Sequence, residues 1–183
     1  MENINQGFIV VICGCMFSGK TEELMRRKRR ADIANRKTIL FKPKKDNRYS
    51  ETDVVTHNKQ SEPAIIVESA KDLERVVING DYDYVFIDEG QFFDPALARV
   101  CQDLADQGKC VHIAGLDMDS DGHPFEVMRD LAGIAEFVDK IHAICTKCGK
   151  LASFTIAVTQ KSERLETGGK DKYDARCRSC LNS

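Results

Sequence analysis

The stretch 10–24, "VVICGCMFSGKTEEL", restricts the fold more than any other part of the chain. An apolar run enters a loop bounded by glycines and leaves it as a helix. Gly14, Cys15, Met16, Phe17, Ser18, Gly19, Lys20 and Thr21 fit the pattern G-x-x-x-x-G-K-[ST]. The glycines allow backbone shapes in which successive N–H groups face one anion. The helix that follows adds free N–H groups and a favourable dipole at its N-terminus. Lys20 reaches the β- and γ-phosphates as a point charge, and the Thr21 hydroxyl can ligate Mg²⁺. A strand before the loop and a helix after it are the context such a phosphate cradle requires.

The rest of the chain repeats the alternation. The sequence predicts strands at 7–13, 37–41, 64–67, 84–88, 110–115 and 138–144. Helices are expected at 21–36, 70–78 and 95–107, with the turn-prone Asn35 near the end of the first and Pro95 in the first turn of the third. A long polar connection separates the second and third strands. Strands apolar along their whole length, separated by helices, imply a parallel sheet covered on both faces, a doubly wound α/β core. "YVFIDEGQFF" (84–93) then carries Asp88 to the C-terminal edge of the sheet, where open α/β folds bind ligands. Asp88 is read as the magnesium residue, acting through water. Successive residues at a strand end point to different sides, so Glu89 is free to take a proton from whatever attacks the γ-phosphorus.

Eight cysteines are many for a chain expected to be cytosolic. Its N-terminus has no basic segment and its first apolar run is too short to span a bilayer, so a cytoplasmic protein with no membrane partner is expected. Reducing compartments favour metal over disulfide. Cys145-x2-Cys148 and Cys177-x2-Cys180 form two knuckles, and four thiolates so arranged suit a closed, structural zinc site. The zinc pins both ends of the segment 149–176, whose "TGGKDKY" reads as a lid with Tyr173 near its end. Cys13, Cys15, Cys101 and Cys110 are expected to be buried free thiols, and the four histidines take no metal role; His112 and His142 read as packing residues in apolar strands. The division is a core over 1–142 and a zinc module over 143–183. With a net charge of −2, the run "RRKRR" (26–30) reads as a solvated helix face rather than a nucleic-acid patch.

The cradle with "MFSGKT", the "DEGQFF" box, "GLD…PF" at 115–125 and the four-cysteine loop together resemble the type II thymidine kinases, the cellular and bacterial zinc-containing form, over about 7–180. The resemblance implies a RecA-like core and a zinc-tethered lasso that closes on the nucleoside. It implies transfer of the γ-phosphate of ATP to the 5′-hydroxyl of thymidine, in pyrimidine deoxynucleoside salvage for DNA synthesis. It also implies a homotetramer with dTTP as feedback inhibitor. Glu89 would be the base. Lys20 and Thr21 would hold the phosphates and Mg²⁺, with Asp88 supporting the metal and Gly90 and Gln91 completing the nucleotide site. Asp46 and Arg48 would reach the sugar and phosphoryl region. Met16, Phe92, Leu116, Phe125 and Tyr173 would cage the base, with Thr155 lining the same pocket.

The chain departs from the family pattern at Cys15, usually Pro, and at Ser120-Asp121, where bacterial members carry Phe-Arg. It departs again at Ala157, usually basic, and in "ERLET" before the lasso glycines. A pocket without that Phe is expected to accept deoxyuridine more readily. Two other readings fit parts of the sequence: an ATPase or nucleotide-binding module whose zinc ribbon contacts nucleic acid, and a family member that binds nucleotides without turnover. The near-neutral charge argues against the first. Intact Lys20, Asp88 and Glu89 argue against the second.

Overall fold

The computed structural model describes residues 6–45, 53–55, 61–159, 169 and 171–181. In chain order the elements are β1 (Phe8–Gly14), α1 (Lys20–Ile33), β2 (Thr38–Pro43), β3 (Asp53–Val55), β4 (Ser61–Pro63), β5 (Ile65–Val67), α2 (Ala70–Ile78) and β6 (Tyr84–Ile87). They continue with α3 (Leu97–Asp106), β7 (Cys110–Leu116), α4 (Glu126–Ile134), β8 (Phe137–Lys140), β9 (Ala143–Ile144), β10 (Leu151–Ala152), β11 (Phe154–Ala157) and β12 (Tyr173–Arg176). Six strands form one parallel sheet in the order β5-β2-β6-β7-β1-β8. The cradle strand β1 and the acid-bearing strand β6 are thus separated by β7.

Both faces are covered, as the apolar strands require. One face packs Ile9, Val11, Phe41, Ile87 and Ile113 against Leu73 of α2, Leu97 and Leu104 of α3, and Met128 and Leu131 of α4. The other packs Val10, Ile12, Leu40 and Phe86 against Leu24 and Met25 of α1 alone. The helix starts are set locally. Ser69 Oγ accepts the Asp72 amide at 3.2 Å at the head of α2. Asp94 accepts the amides of Ala96 (3.0 Å) and Ala70 (2.9 Å), so one carboxylate serves the entry of α3 and the start of α2. Pro95 therefore precedes the helix instead of lying in it. Asn35, at φ 55°, takes the left-handed turn that ends α1 three residues earlier than the sequence suggests.

Three elements differ from expectation. The polar connection after β2 contains an antiparallel hairpin, β3 with β4, in a stretch without the apolar alternation that marks a strand. The strand expected at 138–144 is two: β8 pairs with β1, whereas β9 pairs with β10. The split follows from β1, which turns out of the sheet at Gly14 and leaves the chain beyond Ile141 nothing to pair with. His142 consequently lies outside any strand, exposed, with Nδ1 3.1 Å from Ser153 Oγ. The sequence pattern predicts no helix over Glu126–Ile134, because α4 has no side-chain cap and only nine residues, and its signal is the spacing of the buried Val127, Met128 and Leu131.

His112, as expected, is a core residue. On β7 it lies beneath α1 with its ring stacked 5.0 Å from Phe86 and 6.0 Å from Tyr84. Its Nδ1 is buried without a hydrogen-bond partner. Burial, and then the neighbouring Arg27, push its pKa down to about 4, against the opposing pull of Glu23. The unfolded chain would bind a proton near pH 6.5, so this contribution is complete above that value and lost as pH falls towards 4. Glu23, held at about 2 first by its hydrogen bond from Arg26, acts only at lower pH. Unfolding by urea at pH 7.5 and 5.0 is expected to show about 2 kcal/mol of loss from His112. A His112→Leu variant should lose that much less between the two pH values; an unchanged loss would place the acid sensitivity elsewhere.

Candidate active site

β1 ends at Gly14, whose φ of 152° no β-carbon would permit: an added Cβ would lie 2.2 Å from the Ile141 carbonyl oxygen. The loop then passes through left-handed Phe17 (φ 66°) and Gly19 (φ 86°), which caps α1. Inside the loop the Cys15 carbonyl accepts Ser18 Oγ and Lys20 Nζ, each at 2.8 Å. Lys20 is buried. Desolvation lowers its pKa, while the carboxylates of Glu89, Asp88 and Asp117 pull it back up. A buried ammonium at the N-terminus of α1 suits a phosphate.

The acids separate as their positions at a strand end predict. Asp88, buried, accepts the Thr21 hydroxyl at 3.1 Å through Oδ2 and also faces it through Oδ1 at 3.3 Å. Thr21 and Asp88 therefore form the hydroxyl–carboxylate pair that suits a magnesium ion carried by nucleotide phosphates. Glu89 turns the other way. Its backbone is left-handed at φ 53°, and its carboxylate accepts the Gln91 side-chain amide. Gln91 is 4% exposed, and its Oε1 accepts the Leu116 amide at 2.9 Å. Gln91 thus fixes Glu89 against the end of β7. Gly90 sits where a Cβ would meet Ile113 at 2.8 Å and Met128 at 3.0 Å, so this turn is packed directly on the core.

The C-terminal residues form two small hairpins, β9–β10 and β11–β12. The sulfurs of Cys145, Cys148, Cys177 and Cys180 all lie within 4.8 Å of one another, with Cys148 and Cys177 at 3.6 Å. Tetrahedral zinc with bonds of about 2.3 Å sets sulfurs about 3.8 Å apart. The donor set and spacing fit that ion, and no pair is close enough for a disulfide. Cys13, Cys15, Cys101 and Cys110 are buried free thiols, as expected. Cys15 belongs to the ribbon core, packed with Ala143, Cys145, Ala152, Ala175 and Cys177. Its thiol donates to the Ala152 carbonyl at 3.3 Å, and the Met16 amide donates to Thr155 Oγ1 at 3.0 Å. No sequence signal marks these contacts between cradle and ribbon.

The residues that the resemblance assigns to a base cage lie in three places. Met16 is in the cradle. Phe92, Leu116 and Phe125 follow β6, end β7 and precede α4, with Phe125 in the core and Leu116 packed against it. Thr155 and Tyr173 stand on the paired strands β11 and β12. Of these, Tyr173 alone lines a cavity of about 510 Å³ shared with Phe17, Ile144, Thr146, Asp174 and Ala175. Asp46 and Arg48 fall outside the described residues. The 117–125 loop closes on itself, as Asp119 Oδ1 accepts the amides of Asp121 (3.0 Å) and His123 (2.9 Å), which leaves Asp121 exposed.

A family model described as thymidine kinase matches residues 7–181, cradle, acid pair and cysteine quartet included. The chain belongs to the thymidine kinase family. A protein of Rhodothermus sp. named thymidine kinase is 48% identical over 96% of this chain and 81% of its own length. Proteins of the same name from Porphyromonas gingivalis and Bacteroides thetaiotaomicron are 47% and 46% identical, each over 98% of this chain and 87% and 89% of their own. Within this thymidine kinase family chain, three residues of the basic run on α1 are internally paired. Arg26 and Arg27 hold Glu23, Arg27 also holds Asp139, and Lys28 holds Asp32. That is the behaviour of a solvated helix face.

Glu89, like Phe17 in the cradle, is strained, since a side chain in this backbone region costs about 1–2 kcal/mol. Glu89→Gly should therefore be more stable than Glu89→Ala by about 1 kcal/mol in equilibrium urea unfolding. Equal stability of the two variants would mean that the backbone is unstrained there.

Proposed function

We propose that this kinase transfers the γ-phosphoryl group of ATP to the 5′-hydroxyl of thymidine, and of deoxyuridine, giving the nucleoside monophosphate and ADP. The observation that carries the reading is the divergence of Asp88 and Glu89 at one strand end, Asp88 towards Thr21 and Glu89 towards Gln91. A metal carboxylate and a separate, oriented carboxylate beside one phosphate loop are what transfer to an alcohol needs. Glu89 takes the 5′-hydroxyl proton, the freed oxygen bonds to the γ-phosphorus, and the bond from that phosphorus to the bridging oxygen breaks to leave ADP. Lys20 and the cradle amides neutralise the charge on the transferring group. Thr21 and Asp88 would hold magnesium, which would supply positive charge to offset that of the phosphates.

By the resemblance, Met16, Phe92, Leu116, Phe125 and Tyr173 would cage the base with Thr155 lining the same pocket, and Asp46 and Arg48 would reach the sugar and phosphoryl region. Flat apolar walls with a few polar groups suit a pyrimidine. dTTP fits as an inhibitor because it carries both the nucleoside and a triphosphate. A homotetramer, a salvage role and a cytoplasmic location follow from the resemblance; among the described residues no helix is long and apolar enough to cross a membrane. Zinc held by the cysteine quartet would tie together the chain on either side of 149–176.

Product mass analysis with Mg-ATP and thymidine, deoxyuridine or single-stranded DNA tests the reading. Nucleoside monophosphate is expected, and Glu89→Gln should lower kcat by about 10²–10⁴-fold while ATP still binds. ADP and free phosphate alone, in a yield raised by DNA, would assign the phosphate to water. Metal analysis should find zinc in the purified protein and lose it in Cys148→Ser, with a fall in Tm and in product formation; a Cys148→Ser variant as stable as the parent would remove the structural role of the ion.

A further inference from the structure

We infer that Thr155 is a positioning residue for the phosphate lysine, acting through the peptide plane between Cys15 and Met16. The inference rests on the reading of the cradle as the site of ATP phosphates. The N–H of this one peptide donates to Thr155 Oγ1 at 3.0 Å, and its carbonyl accepts Lys20 Nζ and Ser18 Oγ at 2.8 Å. A peptide plane is rigid, so the direction of its N–H fixes the direction of its carbonyl. Thr155 therefore sets where the oxygen that holds the Lys20 ammonium points.

The support is well placed. Thr155 and Met16 are 6% and 9% exposed, so water cannot readily replace the bond. Thr155 lies opposite Ala175 in the β11–β12 hairpin, and Ala175 packs with Cys15, Cys145 and Cys177 in the ribbon core. Cys15 adds a second tie from the same loop to the Ala152 carbonyl. The hairpin that brackets residues 158–172 is thereby joined to the cradle by the Thr155 hydroxyl as well as by packing of Ala175 with Cys15. The Met16 amide is committed to that hydroxyl and is not part of the anion-binding set. Thr155 also has a competing assignment, as a wall of the nucleoside pocket, and the two roles differ in which substrate a variant loses.

The test uses Thr155→Val, which keeps the shape and removes the acceptor, beside Thr155→Ser, which keeps the hydroxyl. Calorimetric titration with Mg-ATP should show Thr155→Val weakened about tenfold, with Thr155→Ser close to the parent. KM for ATP should rise in the valine variant more than KM for thymidine. Unchanged ATP affinity in Thr155→Val, an equal loss in Thr155→Ser, or a loss confined to thymidine overturns the inference. If the valine variant does not fold, amide exchange of the parent protein decides. The Met16 N–H should be protected without nucleotide, whereas the Ser18 and Gly19 amides gain protection when Mg-ATP is added. A Met16 amide that exchanges freely overturns the assignment. ATP binding is read independently of turnover, so a parent that binds ATP but makes no thymidine monophosphate would sink the proposed reaction and leave this result standing.

Discussion

A parallel sheet buried on both faces has no room for polar chemistry except at its ends. β1, β6 and β7 lie inside the sheet, and Val11, Ile12, Phe86, Ile87 and Ile113 are fully buried. The phosphate loop after Gly14, the carboxylates Asp88 and Glu89 after β6, and Leu116 at the end of β7 are accordingly gathered at the carboxyl ends of these strands. The close approach of Gly14 to the Ile141 carbonyl lets the cradle leave the sheet at once and turn its amides towards the edge. The strained backbone at Glu89 does the same for the second carboxylate, with Gln91 holding the side chain that results.

The ribbon is part of the same construction. A module this small cannot bury enough apolar surface to hold itself, so the cysteine quartet supplies what its core lacks. That core is completed by a residue of the phosphate loop, Cys15. The consequence is mechanical: the cradle is packed against the ribbon as well as hung from the sheet, and two hydrogen bonds from consecutive residues, Cys15 and Met16, fix the join. A proline at this position would offer no such donor; the thiol here makes one of the two ties.

Much of the core was legible. The apolar runs of β1, β6 and β7 are continuous, and α2 and α3 carry helical spacing with clear stops, so local pattern and tertiary burial agree. The phosphate loop and the two cysteine pairs were legible because their chemistry demands fixed spacings. The misses share a cause. α4 is short and uncapped, the β3–β4 hairpin has little apolar alternation, and 138–144 reads as one strand that two different sheets divide. In each, the deciding partner is remote in sequence, and no local preference reports it.

The sequence by itself determined the chemistry available: a lysine and threonine in a glycine loop, two adjacent carboxylates at a strand end, and four thiols spaced for one ion. These depend on residue type and short-range geometry. Only the tertiary structure decided that Asp88 meets Thr21 while Glu89 meets Gln91, and that Thr155 holds the peptide from which Lys20 hangs, across 139 residues of chain. Such contacts arise when separately folded elements dock, and the direction of a single N–H or carboxylate is then set by packing on every side of it.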